Sequence, residues 1–233
     1  GTFVLLEAAR SAKDLHRFVQ ISTDEVYGSI SSGTSKETDE LKPSNPYSAS
    51  KAGADRLAYS YWATYNVPTI ITRSSNNYGT NQFPEKVIPL FITNAIDNIP
   101  LPLYGDGQHV RDWLHVQDHC AALDLLIHNG ETGEVYNIGG GHEIRNSDLT
   151  QQILSLLKKP SSLIKKTTDR PGHDRRYSLD TNKLFALGWR PQIDFSTGIR
   201  ETTNWYMENE EWWRPIKEDP HFKSYNQKQY SES

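Results

Sequence analysis

Two short runs, Arg17 to Thr23 (RFVQIST) and Pro68 to Arg73 (PTIITR), are apolar and β-branched, and a long helical pattern, Ser48 to Tyr65, lies between them. Near-continuous apolar runs of this kind suit strands buried on both faces, as in parallel sheets. Thr2 to Ser11 (TFVLLEAARS) reads as a helix, with Phe3, Leu6 and Ala9 at helical spacing. The order helix, strand, helix, strand predicts an α/β fold built on a doubly wound parallel sheet. Gly28 to Lys42 is rich in Ser, Gly and Thr and reads as a surface loop; Pro43 and Pro46 then lead into the long helix. Helices are also predicted for Lys86–Asn98, His115–Asn129 and Ser147–Leu157, the last with Ser147 as N-cap, and a strand for Val135–Ile138. Asn209 to Ser233 is polar and aromatic without a clear period, so an irregular tail, draped on the surface or partly disordered, is expected. No internal repeat is visible.

A chain of 233 residues with 36% hydrophobic and 23% charged residues fits one large or two small packed soluble domains. A net charge of -4 gives no electrostatic reason to expect nucleic acid or an anionic membrane as partner. A nucleotide ligand would have to be held by a few placed cations. Cys120 is the single cysteine, which excludes an intrachain disulfide and a thiolate metal site and fits a reducing cytoplasm. His115 and His119 flank it on a predicted helix with no further ligand pattern, so no metal is expected. No apolar run approaches the roughly 18 residues of a membrane span.

A dinucleotide-binding half begins strand, glycine-rich turn, helix, and that turn seats a pyrophosphate on the helix N-terminus. Neither G-x-x-G-x-x-G nor G-x-G-x-x-G occurs in the sequence, and Gly105-Asp106-Gly107 reads as a simple turn. The chain opens on a helix and its first residue is Gly1, so the expectation is a truncated sheet lacking its first units. At roughly 30 residues per β-α unit, on the order of three units are expected upstream.

Chemistry concentrates in two places. Ser22-Thr23-Asp24-Glu25-Val26-Tyr27-Gly28 follows a buried-type strand, and in open α/β sheets the ligand crevice lies beyond the carboxyl ends of strands. Tyr47-Ser48-Ala49-Ser50-Lys51 opens the long helix, with Tyr47 and Lys51 on one face. An ammonium beside a phenol favours the phenolate and makes a general base near neutral pH. Each element alone has an ordinary reading, an amphipathic pair or a solvated turn; together, in this order, they point to a site. Adjacent strand residues face opposite ways, so the backbone must turn at Asp24 for both carboxylates to reach one substrate.

These two segments resemble the extended short-chain dehydrogenase/reductase superfamily, and within it the dTDP-glucose 4,6-dehydratases. The resemblance continues through Arg73–Gly79, Phe83–Pro89, Pro102–Gly105, Arg111-Asp112-Trp113, Asn137–Gly140, Asp169–Tyr177 and Leu187-Gly188-Trp189, covering the chain to about Tyr206. Related epimerases carry small or hydroxyl residues where this chain has Asp24 and Glu25, and related decarboxylases resemble S-T-S-E-V-Y-G. Thr80 departs from the family's usual proline.

The resemblance implies NAD as cofactor and a nucleotide hexose as substrate. Tyr47, eased by Lys51 and with Thr23 holding the sugar hydroxyl, would deprotonate the C4 hydroxyl as hydride leaves for NAD. Glu25 would take the C5 proton, Asp24 would protonate the departing C6 hydroxyl, and the hydride would return to C6. Tyr47, Lys51 and Asn77 would meet the cofactor. Thr23, Asn76, Lys86, Val87, Pro102, Leu103, Tyr104, Arg111, Asn146, Arg170 and His173 would hold the substrate, the two arginines as bidentate phosphate clamps. Residues 1–75 would form a partial NAD-binding Rossmann-type domain to which 108–130 returns, and 76–233 a smaller α/β nucleotide-sugar domain. A cytoplasmic homodimer paired through the long helix is expected, with the stretch as it stands inactive. An epimerase and a decarboxylase are rival readings, separated by product analysis; a catalytically silent nucleotide-sugar binder is a third, against which the intact set of Thr23, Asp24, Glu25, Tyr47 and Lys51 argues.

Overall fold

The computed structural model describes residues 1–231. The chain runs α1 (Thr2–Ser11), β1 (Phe18–Thr23), α2 (Pro46–Tyr65), β2 (Thr69–Ser74), β3 (Asn76–Tyr78), α3 (Val87–Ile96), β4 (Leu101–Tyr104) and β5 (Val110–His115). It continues α4 (Val116–Asn129), β6 (Val135–Ile138), β7 (Glu143–Arg145), α5 (Asn146–Leu156), β8 (Ile164–Thr167), α6 (Asn182–Ala186), α7 (Phe195–Glu208), α8 (Glu210–Glu218) and α9 (Pro220–Ser231). Two compact units result: Gly1–Asn77 with Arg111–Glu143 and Asp174–Gln192, and Tyr78–Val110 with Ile144–His173 and Ile193–Ser233. Residues 131–143 and 174–192 depart from the expected division, which places them in the second domain. They pack in the first because β6 pairs in parallel with β2, and α6 packs on β6.

In the first unit the order is β1-β2-β6, all parallel. β2 is buried along its whole length, as its β-branched run predicted. Its neighbours Ile70 and Ile71 point to opposite faces. Ile71 joins Leu6, Ala58, Tyr61 and Val67 under α1 and α2; Ile70 joins Leu114, Ala122, Leu126, Leu184 and Trp189 under α4 and α6. Helices thus cover both faces, the doubly wound arrangement. A buried ion pair fixes α2 to this sheet. Arg73, 1% exposed, donates from Nε to Asp55 Oδ2 at 2.8 Å and from Nη2 to Oδ1 at 3.0 Å. Burial pulls the Asp55 carboxyl up, but the Arg73 bonds outweigh it and the net shift is down.

The second unit pairs β4 with β8 in parallel, with α3 and α5 packed on β4 and α7 packed on both helices. α3 is apolar nearly all round and accordingly buried from Ile88 to Ala95. Two expectations are corrected here. α5 begins at Asn146 with Arg145 as N-cap and no side-chain cap, so Ser147 lies inside the helix. No capping hydroxyl is needed there, because the Asn146 and Ser147 N–H groups donate to the carbonyls of His109 and Gly107, both at 2.9 Å. The tail is also not irregular: through Ser231 it forms α8 and α9. Pro215 and the Asp219-Pro220 break hide the helical period, while buried Trp213 anchors it by donating from Nε1 to the Tyr206 carbonyl at 2.7 Å. Glu232 and Ser233 lie outside the described residues.

Candidate active site

β1 and β2 end in register, Thr23 beside Ser74, and β2 ends beside β6 with Ser74 opposite Ile138. The next four residues, Asp24–Tyr27, wind into a 3-10 turn capped by Thr23. This is the turn the paired carboxylates require. Thr23 Oγ1 accepts from the Glu25 N–H at 3.3 Å and donates to Asp24 Oδ1 at 3.1 Å. Gly28 closes the turn at φ 76°, where a Cβ would sit 2.3 Å from the Lys42 carbonyl oxygen. No other residue fits that corner without moving the loop.

The turn separates the two carboxylates. Asp24 is 3% exposed and Glu25 is half-buried. Burial, then the charges of Glu25 and Asp112, push the Asp24 carboxyl up to about 7, against the Thr23 hydrogen bond and the charge of Arg111. Asp24 Oδ2 has no partner among the described residues. Asp112 is itself buried, and its carboxylate accepts from the N–H groups of Gly140 at 2.9 Å and His142 at 2.7 Å. A Cβ on Gly139 would come within 2.8 Å of that carboxylate, so the glycine run lets backbone close over it.

Tyr47 stands in the first turn of α2, which the sequence starts firmly. Pro46 occupies the first position, and Asn45 and Ser48 form a reciprocal capping box, with Ser48 N–H donating to Asn45 Oδ1 at 2.9 Å. The phenol is 55% exposed. Its pKa is raised, by partial burial first and then by the charges of Glu25 and Asp24. This differs from the sequence argument, in which Lys51 lowers it. The Lys51 ammonium instead donates to the Ile21 carbonyl at 2.6 Å, tying α2 to β1, and burial lowers its own pKa.

Three further candidates belong to this unit. Asn76 is half-buried at the start of β3. Asn77 donates from Nδ2 to the Ser75 carbonyl at 3.1 Å. Arg111 is 6% exposed on β5, donates from Nη2 to the Asp174 carbonyl at 2.9 Å, and lies 4.6 Å over the Tyr177 ring.

The second unit holds the others. Exposed Lys86 is the N-cap of α3 and Val87 its first residue, a position where helix N–H groups favour anions. Pro102 and Tyr104 are half-buried on β4, whereas the Leu103 side chain is in the core, leaving only its backbone for a ligand. Asn146 opens α5 and Arg170 is exposed on a loop. Tyr104 and His173 meet edge to face, their ring centroids 6.0 Å apart. His173 Nδ1 is 2.6 Å from Asp169 Oδ1, and its ring stacks on His109 with centroids 3.7 Å apart at 15°. His109, Asp169 and His173 place ligand atoms within 4.8 Å of one another. A metal bonds in the plane of each imidazole, and two stacked rings share no such point, so this arrangement suits hydrogen bonding to Asp169 instead.

The family model described as GDP-mannose 4,6 dehydratase matches residues 1–202. The chain belongs to that family. It is 53% identical over 214 residues to a dTDP-glucose 4,6-dehydratase of Actinoplanes sp., an overlap covering 91% of this chain and 67% of that protein. The dTDP-glucose 4,6-dehydratase of Streptomyces venezuelae, solved with NAD bound, superposes at a TM-score of 0.91 with 50% identity, covering 93% of this chain and 67% of that one. Its counterpart from Bacillus anthracis, in complex with NAD, gives 0.89 and 50%, covering 93% and 69%. The chain thus spans about two thirds of the length of such relatives, 66% for that of Streptomyces antibioticus.

Within this family frame, the structure gathers Thr23, Asp24, Glu25, Tyr47, Lys51 and Arg111 in the first unit, where Asp24 senses the charges of Glu25 and Arg111 and Tyr47 senses both carboxylates. Asp112, Asp174 and Tyr177 sit inside motifs visible in the sequence yet had no role there. Their shared signal, carboxylates and a phenol among arginines in R-D-W and H-D-R-R-Y, says charge but not which partner.

Proposed function

We propose that the protein is an NAD-dependent dTDP-glucose 4,6-dehydratase, removing water across C5 and C6 of the nucleotide hexose. The observation that carries this is the 3-10 turn after β1. It places a buried carboxyl with a pKa of about 7 beside a second, less buried carboxylate. Neighbouring carboxyls in unlike environments supply an acid and a base in one site. The residues present also fit the nicotinamide end of NAD: a half-exposed phenol and an ammonium, at the carboxyl ends of parallel strands, are donors for ribose hydroxyls.

NAD, when bound, supplies the acceptor and later the donor of a hydride. The chain's own groups handle protons. Thr23 and Tyr47 hold the C4 hydroxyl, and Tyr47 takes its proton. Oxidation at C4 acidifies the C5 proton, which Glu25 removes. Asp24, protonated in a good fraction of molecules near neutral pH, delivers a proton to the C6 oxygen as it leaves. Arg111, fixed before any ligand arrives, suits a diphosphate. Lys51, one turn on from Tyr47, ties α2 to β1 and so bears on the distance from phenol to Thr23. The reading keeps the substrate roles of Asn76, Lys86, Val87, Pro102, Tyr104, Asn146, Arg170 and His173, the backbone role of Leu103, and Asn77 on the cofactor side. It also includes a cytoplasmic homodimer paired through α2, which leaves Tyr59 and Tyr65 exposed; among the described residues no helix is long and apolar enough to cross a membrane.

The test is to incubate the full-length protein with NAD and dTDP-, UDP- or GDP-hexoses in deuterated water. Preferred turnover of dTDP-glucose, with loss of water, a new methyl group and deuterium at C5, is the expected result. An epimer, a pentose with loss of carbon dioxide, or no turnover would sink the reading. Sedimentation of the protein at assay concentration tests the dimer.

A further inference from the structure

Asp174 lies in none of the roles above, yet three pieces of the site converge on it. It is 8% exposed. The Tyr177 hydroxyl donates to its Oδ2 at 2.6 Å, and the Ser44 hydroxyl donates to the same oxygen. Its backbone carbonyl accepts from Arg111 Nη2 at 2.9 Å, and the Arg111 guanidinium lies 4.6 Å over the Tyr177 ring. Ser44 immediately precedes Asn45, the N-cap of α2, and Tyr47 follows two residues later. One carboxylate therefore touches both the loop that launches the phenol and the platform that carries the arginine. A carboxylate accepting two hydroxyls makes stronger, shorter bonds than a neutral acceptor would.

Resting on the dehydratase reading, we infer that Asp174 is a positioning residue, holding Tyr47 and Arg111 in one frame so that a diphosphate on the arginine sets the sugar against the phenol. Its two arms act on different ends of the substrate. Ser44 governs the placement of Tyr47, where protons move. Tyr177 governs the placement of Arg111, where the diphosphate is held. A misplacement of about 1 Å at a reacting group costs on the order of 100-fold in rate. The two arms should therefore separate in kinetics, which a carboxylate serving stability alone would not do.

The experiment compares Asp174→Ala, Asp174→Asn, Ser44→Ala and Tyr177→Phe, each with dTDP-glucose and NAD. Asp174→Ala should lower kcat/KM by about 100-fold. Asp174→Asn, which keeps shape and one acceptor oxygen, should recover about tenfold of that. Ser44→Ala should lower kcat by about tenfold with KM within about twofold. Tyr177→Phe should raise KM by about tenfold with kcat nearly unchanged. Amide hydrogen exchange at Ala49, Ser50 and Lys51 reads the Ser44 arm without substrate, and should quicken in Asp174→Ala and Ser44→Ala only. Wild-type turnover with no kinetic split and unchanged exchange overturns the inference and leaves the dehydratase reading standing. Quickened exchange in these variants of a protein that turns over no nucleotide hexose upholds the tie and overturns the dehydratase reading.

Discussion

Asp24 and Tyr47 belong to the same unit and Tyr47 senses the charge of Asp24, but their surroundings differ sharply. Asp24 is 3% exposed at the end of a strand, inside a turn braced by Thr23 and Gly28; Tyr47 is 55% exposed in the first turn of a helix. Burial acts on each in the same direction, towards the protonated form. For the acid role proposed for Asp24 that direction is useful, because a good fraction of the carboxyl keeps its proton near neutral pH. For the base role proposed for Tyr47 it is not, since that role requires the phenol to lose its proton. The closed arm thus has its proton affinity set by the fold itself, while the open arm depends on what is brought against it. Catalytic groups on one fold can be tuned by opposite routes.

The largest effect expected follows from breaking each arm in turn. Asp24→Asn and Tyr47→Phe should each slow dehydration by about two to four orders of magnitude, the usual worth of a general acid or base. They should fail at different points. Asp24→Asn should still exchange deuterium at C5, because oxidation and Glu25 survive, whereas Tyr47→Phe should exchange nothing. Normal dehydration by Asp24→Asn would remove the distinction between the arms.

The pH dependence sharpens it. An acid with a pKa of about 7 loses its proton as pH rises through that value, so the elimination step should fall about tenfold per unit above it. Single-turnover water loss between about pH 6 and pH 9 measures this. Should the limb persist unchanged in Asp24→Glu or in a variant lacking the charge of Asp112, another group is titrating.

Stability gives the next largest contrast. In the unfolded chain a carboxyl titrates near 3.9, and in the fold Asp24 titrates at about 7. Between those values the unfolded chain gives up a proton that the folded one keeps, so Asp24 destabilises the fold progressively as pH rises. The penalty is absent near pH 4 and complete above about pH 7, where it is at most on the order of 4 kcal/mol. Asp24→Asn should therefore raise Tm at pH 8 and leave it unchanged at pH 4. Tyr47→Phe, on an exposed ring, should move stability by no more than about 0.5 kcal/mol at either pH. Equal shifts in thermal melts of the two variants would contradict the contrast drawn from their burial.

How far the sequence revealed these arms follows from the same physics. The strand before Asp24, a helix over Ser48–Tyr65 and the need for a turn at Asp24 are legible, because apolar periodicity is a local signal; the helix start at Pro46 lies two residues earlier, set by the Asn45 cap. The tail was misread as irregular, since Pro215 and Pro220 interrupt a period that Trp213 completes only by packing. Lys51 was misplaced energetically: spacing put it on the face of Tyr47, but the Ile21 carbonyl, on another element, claims its ammonium. The role of Asp174 was invisible, because Ser44 lies 130 residues away in the chain and no local pattern links them.

The smallest effect concerns the cap beneath the open arm. Asn45 accepts from the Ser48 N–H at 2.9 Å and receives the Ser48 hydroxyl's support on its own N–H at 3.3 Å. Replacing such an N-cap by alanine costs about 1 kcal/mol, or roughly 2–4 °C in Tm for a chain of this size. Asn45→Ala should cause that loss at every pH, because no titrating group is involved. Fraying of the first turn moves Tyr47 but leaves the Asp24 turn, which Thr23 and Gly28 hold independently, untouched. Oxidation at C4 should therefore slow by several-fold while the pH limb near 7 keeps its position, and single-turnover assays at several pH values measure both. A shift of that limb in Asn45→Ala would mean that the helix start, and not burial, sets the proton affinity of Asp24, and the two arms would be one.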